Sequence, residues 1–279
     1  KELSYNNIID IDSALEVVKE LNYKNTVSVV KHNNPCGLAT GETVKEALEA
    51  AWSGDQVSAF GSIIAISSTI DIEAATFLEN KFVEVIIAPN YTEEALNYLK
   101  QKSKNLRILK TGELFSQKNN LCYKSVTGGI LEQSKDNINF IEWECVTQTS
   151  FPENKINLAK FTNIAAKNTK SNAVVLGYEY KLGYFKVLGM GAGQPNRIDS
   201  LRKLAVPKAI ENLGSEDLSE VVLASDAFFP FDDTVREAAS YGIKFIIQPG
   251  GSIRDNEVIN ACNELNVAMA FTKARHFLH

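Results

Sequence analysis

Short apolar runs rich in β-branched residues recur along this chain, and most are separated by stretches with helical spacing. In the first half the runs are residues 26–30, 62–66, 83–88 and 107–109. Helical stretches at 12–21, 43–51, 72–80 and 92–101 precede or separate them, with Asp10, Asp12 and Thr43 placed to cap. Val44, Ala47, Leu48 and Ala51 fall on one helical face. The middle, roughly 110–150, loses this rhythm: 128–131 and 140–146 read as short strands, and 154–169 as a long helix. The second half alternates again, with strands expected at 172–176, 185–188, 221–224, 244–248 and 267–271 and helices at 200–213, 234–241 and 255–265. Such alternation predicts an α/β fold with a mostly parallel sheet covered by helices. No strict sequence repeat is present, but the shared rhythm predicts two related α/β subdomains.

The bulk numbers narrow the function. A chain of 279 residues suffices for one large domain or two of ordinary size. The net charge is −5, without a block of like charge, which argues against a nucleic-acid partner or a membrane-surface helix. No apolar run approaches the roughly 18 residues of a membrane span, and Lys1-Glu2-Leu3-Ser4-Tyr5 opens no signal-peptide core. A cytoplasmic protein is expected. Cys36, Cys122, Cys145 and Cys262 form no C-x-x-C, so reduced thiols are expected. The three histidines, His32, His276 and His279, are too few and too scattered for a His-based zinc site.

Polar residues gather at the predicted strand ends. Val27-Ser28-Val29-Val30 ends in Lys31-His32, followed by Asn33-Asn34-Pro35-Cys36-Gly37, where Pro35 and Gly37 read as a turn that stops the strand. Ligands of open α/β sheets bind outside such carboxyl ends. Neighbouring strand residues face opposite ways, so Lys31 and His32 share a site only if the strand ends or bulges between them. Another end, Ser225-Asp226-Ala227-Phe228-Phe229-Pro230-Phe231-Asp232-Asp233, offers a rigid aromatic wall with carboxylates beside it, or else a capping turn over core phenylalanines. Pro249-Gly250-Gly251-Ser252-Ile253-Arg254-Asp255 exposes backbone N–H groups suited to an anion or a polar edge, or makes an ordinary turn. Gly189-Met190-Gly191-Ala192-Gly193 has its third glycine one position early for a dinucleotide fingerprint and lacks the acidic ribose ligand. It reads instead as a loop presenting Arg197. At the end, Arg275-His276-Phe277-Leu278-His279 reads as a tail that docks through Phe277.

Together these motifs resemble, in order, the AICAR transformylase domain of the bifunctional AICAR transformylase/IMP cyclohydrolase family. Lys31-His32 with Asn-Pro-Cys-Gly, Ser58-Ala59-Phe60-Gly61, Gly191-Ala192-Gly193-Gln194, the 225–231 wall, Gln248-Pro249-Gly250-Gly251-Ser252-Ile253-Arg254-Asp255 and the terminal Arg275-His276-Phe277-x-His279 carry the resemblance across essentially the whole chain. It implies two cytidine-deaminase-like three-layer α/β/α subdomains, at 1–125 and 171–279, with an irregular and helical connector at 126–170. It implies transfer of a formyl group from 10-formyltetrahydrofolate to the 5-amino group of AICAR. The deaminase zinc is not expected, because H-x-E and P-C-x-x-C are both missing.

Position by position, the resemblance makes His32 the general base, Lys31 the group stabilising the transition state, and Asn172 an orienter of the carboxamide. Phe60, Gly61, Glu84, Arg197, Arg275 and His279 match nucleotide-side positions, and Ile198, Phe228, Pro230, Asp233, Ser252 and Ile253 match folate-side positions. A homodimer with sites at the interface is implied, as is, in some members, a potassium ion near Asp226. The family's Arg-Tyr phosphate motif, placed just upstream of Lys1, and its cyclohydrolase domain are not in this chain. A stand-alone transformylase or a piece of the longer enzyme is therefore expected. The competing expectations are a catalytically silent nucleotide- or folate-binding domain and a zinc deaminase on a similar fold.

Overall fold

A computed structural model describes residues 2–21, 23–112 and 120–279. The first half runs α1 (Tyr5–Leu21), β1 (Thr26–Lys31), β2 (Asn34–Thr40), α2 (Val44–Trp52), α3 (Gln56–Ala59), β3 (Ser62–Ile66), α4 (Ile72–Phe77), β4 (Val83–Ala88), α5 (Glu93–Lys102) and β5 (Arg107–Lys110). The connector holds β6 (Leu121–Val126), β7 (Gly129–Ser134), β8 (Glu144–Cys145) and α6 (Ile156–Lys167). The second half runs β9 (Val174–Lys181), β10 (Tyr184–Gly191), α7 (Arg197–Asp199), α8 (Val206–Leu213), β11 (Val222–Ser225), α9 (Asp233–Ser240), β12 (Phe245–Gln248), α10 (Asp255–Glu264) and β13 (Ala268–Phe271). Between α7 and α8 the helix continues, loosened to a π-turn, through Ser200–Ala205. Side-chain caps start several helices: Thr43, Asp71 and Thr92 each accept from the backbone N–H three residues on.

The expected α/β architecture is present, but the sheet is mixed rather than mostly parallel. Among the described residues one sheet has the order β5-β4-β3-β1-β2-β10-β9-β11-β12-β13-β8, and β6 and β7 pair separately. The trios β3-β4-β5 and β11-β12-β13 are parallel; β1-β2, β9-β10, β1-β3, β9-β11 and the seam β2-β10 are antiparallel. The reason lies at Pro35 and Gly37, which do not stop the chain as expected but sit inside β2. Val29 pairs with Gly37 and Lys31 with Asn34, so Pro35 and Cys36 together oppose Val30. Proline is tolerated at such a bulge, where no ladder donor is required. His32 and Asn33 form a two-residue turn with φ of +51° and +63°, the left-handed pair that suits a hairpin.

The expected relation between halves is visible in the strand order. β2-β1-β3-β4-β5 and β10-β9-β11-β12-β13 are the same topology, joined back to back at β2-β10. On one face α2, α4 and α5 cover Val27, Val29, Ile64 and Ile86, as α8, α9 and α10 cover Leu176, Leu223 and Ile246. On the other, α1 packs on Val30, Ile63 and Val85, and α6 on Val175, Val222 and Ile247. The expected strand at 140–146 shrinks to Glu144–Cys145 at the sheet edge, and the division at 125/126 falls inside the β6–β7 hairpin. Because the seam is antiparallel, the ends of β1, β10, β11, β12 and β13 and the starts of β2, β3, β4 and β9 share one edge of the sheet.

Candidate active site

Every residue singled out from the sequence as catalytic or binding lies on or beside that shared edge. Its first-half group is built on β1. The strand ends at Lys31, and His32 starts the turn, so the two side chains are freed from strict alternation. His32 is exposed. The turn is pinned from α1: Asn33 N–H donates to Asp10 Oδ1 at 2.8 Å, and Asn33 Nδ2 to Ser13 Oγ at 2.8 Å. Lys31 Nζ donates to the carbonyls of Phe60 and Gly61 at 3.1 and 3.0 Å. Gly61 has φ +70°, and a Cβ there would stand 3.1 Å from Lys31 Nζ; glycine keeps the loop close to the ammonium. Phe60 lies against Phe82, ring centroids 5.1 Å apart, both half open to solvent. This shelf borders the Lys31 ammonium, and Phe82 is a member the sequence reasoning missed. Glu84, one strand further, accepts from Asn7 Nδ2 at 2.9 Å and lies 3.6 Å from Arg107.

The second-half group surrounds Asp226, which is 1% exposed. Its Oδ1 accepts from Arg197 at 3.0 Å and its Oδ2 from Ser171 Oγ at 2.5 Å, while Arg197 Nε donates to Ser225 Oγ at 3.1 Å. The carboxylate is thus already neutralised by a guanidinium, an arrangement that does not fit a potassium ion on Asp226 itself. Arg197 opens a helix capped by Asn196, whose Oδ1 accepts from Asp199 N–H at 2.8 Å. Bonds from Asn196, Lys203 and Arg202 pull the Asp199 carboxyl down to about 2. Ile198 sits beside them, half-buried. Asn172 Nδ2 donates to Gln194 O at 2.8 Å, fixing the start of β9 to the 191–194 loop.

Past β11, the aromatic wall splits as both readings anticipated. Phe229 is core at 0% exposure, while Phe228 is only partly covered and Pro230 and Phe231 are open. Asp233 Oδ1 accepts from Thr234 N–H at 2.7 Å, and Arg254 lies 4.7 Å over the Phe231 ring. In the loop after β12, Asp255 accepts from the N–H groups of Gly251 and Ser252 at 2.7 and 3.1 Å, and Ile253 projects fully exposed. Those two N–H groups serve the turn rather than standing free for an anion.

The tail after β13 crosses the edge back toward the first half. His276 N–H donates to Asp226 O at 2.9 Å, and Leu278 O accepts from Ser171 N–H at 3.0 Å. Asn34 Oδ1 in turn accepts from Lys170 N–H at 3.0 Å, which links the Lys31-His32 hairpin to this segment. Phe277 and Leu278 line a cavity of about 240 Å³ together with Asn33 and Pro35. Arg275 lies 5.2 Å from the Phe228 ring and 4.1 Å from Phe277, and Phe277 stacks on His279 at 5.9 Å. Among the described residues no carboxylate pairs with Arg275.

Along this edge Lys31 and Asp226 are four strands apart, about 19 Å at about 4.8 Å per strand. Glu84 is six strands from β11, about 29 Å by the same spacing. The two groups face one edge but do not converge on a single small pocket. Cys36 lies inside β2, where burial first and Asp55 second push its thiol up to about 12, an inert value. Among the described residues no three His, Cys, Asp or Glu side chains gather as metal ligands.

A duplicated α/β protein, its polar and aromatic residues strung along one sheet edge, is the class that fold and site define. The AICARFT/IMPCHase bienzyme model matches residues 1–208, and the chain belongs to that family. The bifunctional purine biosynthesis protein PurH of Lactobacillus delbrueckii subsp. bulgaricus is 48% identical over 284 residues, covering 100% of this chain and 53% of that protein. PurH of Petrotoga mobilis is 48% identical over 280 residues, with 100% and 52% covered. PurH of Aquifex aeolicus is 45% identical over 279, with 100% and 53% covered. The chain spans about half the length of these relatives.

Proposed function

We propose that this chain is an AICAR formyltransferase of purine biosynthesis, moving a formyl group from 10-formyltetrahydrofolate to the 5-amino group of AICAR. One observation carries the reading beyond family membership. A cation and an exposed imidazole end one strand, on the same edge as an aromatic-backed guanidinium without an acidic partner among the described residues. The amine of AICAR is conjugated and weakly nucleophilic, so its attack on the formyl carbon needs a base. An imidazole is the side chain suited to take that proton near neutral pH, and His32 presents one. Lys31 stabilises the oxyanion and helps protonate the departing N10, which requires it to turn from the carbonyls of Phe60 and Gly61 toward substrate. Asn172 orients the carboxamide. Phe60, Gly61, Glu84, Arg197, Arg275 and His279 hold the nucleotide, Arg275 gripping phosphate by its forked donors. Phe228, Pro230, Asp233, Ile198, Ser252 and Ile253 hold the folate. No step runs through zinc or potassium.

The repeated 2-1-3-4-5 strand order supports two cytidine-deaminase-like subdomains, 1–125 and 171–279, flanking the connector. The edge length supports a homodimer: no single mononucleotide touches both Glu84 and Arg275 of one protomer, so each site draws on two. Cyclohydrolase activity is assigned to no residue of this chain, and the expected location is the cytoplasm. A silent binding domain is the second reading, favoured by the engagement of Lys31 with two backbone carbonyls. Absorbance of released tetrahydrofolate, with AICAR and 10-formyltetrahydrofolate supplied, separates the two. Turnover that depends on both substrates supports the transferase; substrate binding without turnover supports the silent domain.

A further inference from the structure

The tail beyond β13 alternates inside and outside, with Ala274 and His276 buried and Arg275 and Phe277 exposed. His276 is 2% exposed. Its Nδ1 lies 2.6 Å from Asp136 Oδ2, and its Nε2 has no partner among the described residues. Asp136 follows the β6–β7 hairpin and lines the same cavity as Phe277 and Leu278. Burial works against its charge, but the hydrogen bond with His276 and the nearby charges of His276 and Lys167 hold its carboxyl below the usual carboxylate range. An ionised carboxylate only accepts, so Nδ1–H is the donor.

The contacts continue away from the tail. Asp136 Oδ1 lies 3.8 Å from Lys167 Nζ on α6, and Lys167 meets Glu20 of α1 at 2.8 Å and Asn139 at 3.1 Å. One polar chain therefore ties α1, α6, the connector and the tail. Lys167 and His276 of this polar chain are buried while the Asp136 side chain is 42% exposed at its mouth, so removing the carboxylate strands the buried groups it serves. Next to β13 the tail is held by Thr272 N–H to Gln248 O, Lys273 N–H to Pro249 O and the Lys273–Glu144 pair; from Ala274 onward its backbone bonds to the rest of the fold are His276 N–H to Asp226 O and Ser171 N–H to Leu278 O.

We propose that Asp136 and His276 are a positioning couple for substrate binding: the carboxylate clamps the inward imidazole, and the extended backbone then presents Arg275 and Phe277 outward along the sheet edge. The proposal rests on reading Arg275 as the phosphate ligand.

The test is steady-state formyl transfer by H276L, H276N, D136A and D136N, with limited trypsin digestion read by mass spectrometry at the Arg275–His276 bond. H276L and D136A are expected to raise the KM for AICAR about tenfold or more while kcat falls about threefold or less, a loss of positioning rather than of chemistry. H276N keeps a donor nitrogen bonded to Cγ and should return KM to within about threefold of the parent, as one restored charge-assisted bond should. The H276L/D136A double variant should be no worse than H276L alone, and trypsin should cut H276L after Arg275 faster than the parent. Should H276L not fold, D136N, which keeps the shape and removes the charge, carries the same KM expectation. An unchanged KM with parental trypsin resistance, additive effects, or an H276N as impaired as H276L overturns the couple. A parent protein with no formyl transfer overturns the functional reading instead, and the trypsin comparison then judges the clamp by itself.

Discussion

At the scale of single residues, the proposed chemistry rests on how β1 stops. Lys31 and His32 were legible in the sequence because an apolar run ending in two titratable side chains is visible without coordinates. Their partners were not. Phe82 stands before β4 with no motif around it, and Asp136 lies in an irregular stretch 140 residues from His276; such long-range pairings leave no periodicity to read. The hairpin turn fixes His32 at positive φ, so its ring is aimed by backbone geometry rather than by a side-chain bond. For His32→Ala the expected loss in kcat is about 10²–10⁴-fold, the usual size of a general-base contribution, with AICAR binding by calorimetry nearly unchanged. Parental turnover in that variant would remove the imidazole from the mechanism. Lys31→Ala should lower kcat more than it raises KM; the opposite pattern would assign Lys31 to ordinary binding or to holding the Phe60–Gly61 loop.

Among elements, most strands and helices with strong periodicity were readable to within a few residues, and Thr43, already read from the sequence as a cap, does cap α2; the first helix instead begins at Tyr5, so Asp10 and Asp12 lie inside it rather than capping it. What misled was proline. Pro35 reads as a stop, yet a bulge accommodates it, so a hairpin replaced the expected crossover and the sheet became mixed. The glycines at 189 and 191 show a similar displacement of meaning. They bind no dinucleotide phosphate by pattern. A Cβ on Gly189 would meet Ala205 O at 2.0 Å, and one on Gly191 would meet Ser200 O at 2.0 Å. Their role is to let the Ser200–Ala205 segment press onto β10, which sets where Arg197 and Ile198 begin. Gly191→Ala should therefore destabilise the protein by about 1–3 kcal/mol, the range for overpacking a tight contact, read as a lowered denaturant midpoint with unchanged m. It should also raise the KM values, because the helix start moves. A Gly191→Ala variant of parental stability would show that the helix has room to retreat.

For the whole molecule, the duplication could be suspected from rhythm, but the seam could not, since one antiparallel pairing, Lys186 with Ala39, decides that both halves offer their functional ends to the same edge. That seam also sets the distances. Residues assigned to one nucleotide are spread over about 29 Å of a single protomer at the usual strand spacing, so sites shared between two copies are required if the assignments hold. Mixing two inactive variants tests this directly. Suppose Lys31→Ala impairs one side of the site and Asn172→Ala the other, and the two proteins are unfolded together and refolded in equal amounts. If each site takes Lys31 from one subunit and Asn172 from its partner, half the dimers are mixed, and each mixed dimer holds one intact site and one doubly altered site. Activity should then recover to about one quarter of the parental value, the statistical expectation for isologous exchange. If each site lies within one protomer, every site in every mixed dimer still carries an alteration, and activity stays at the level of the separate variants. Recovery that needs co-refolding, and that scales with the product of the two variant fractions, would place the sheet edges of two copies against each other; absence of recovery in verified mixed dimers would put Lys31 and Asn172 of one protomer in the same site, whose segments the Asn34–Lys170 bond already joins.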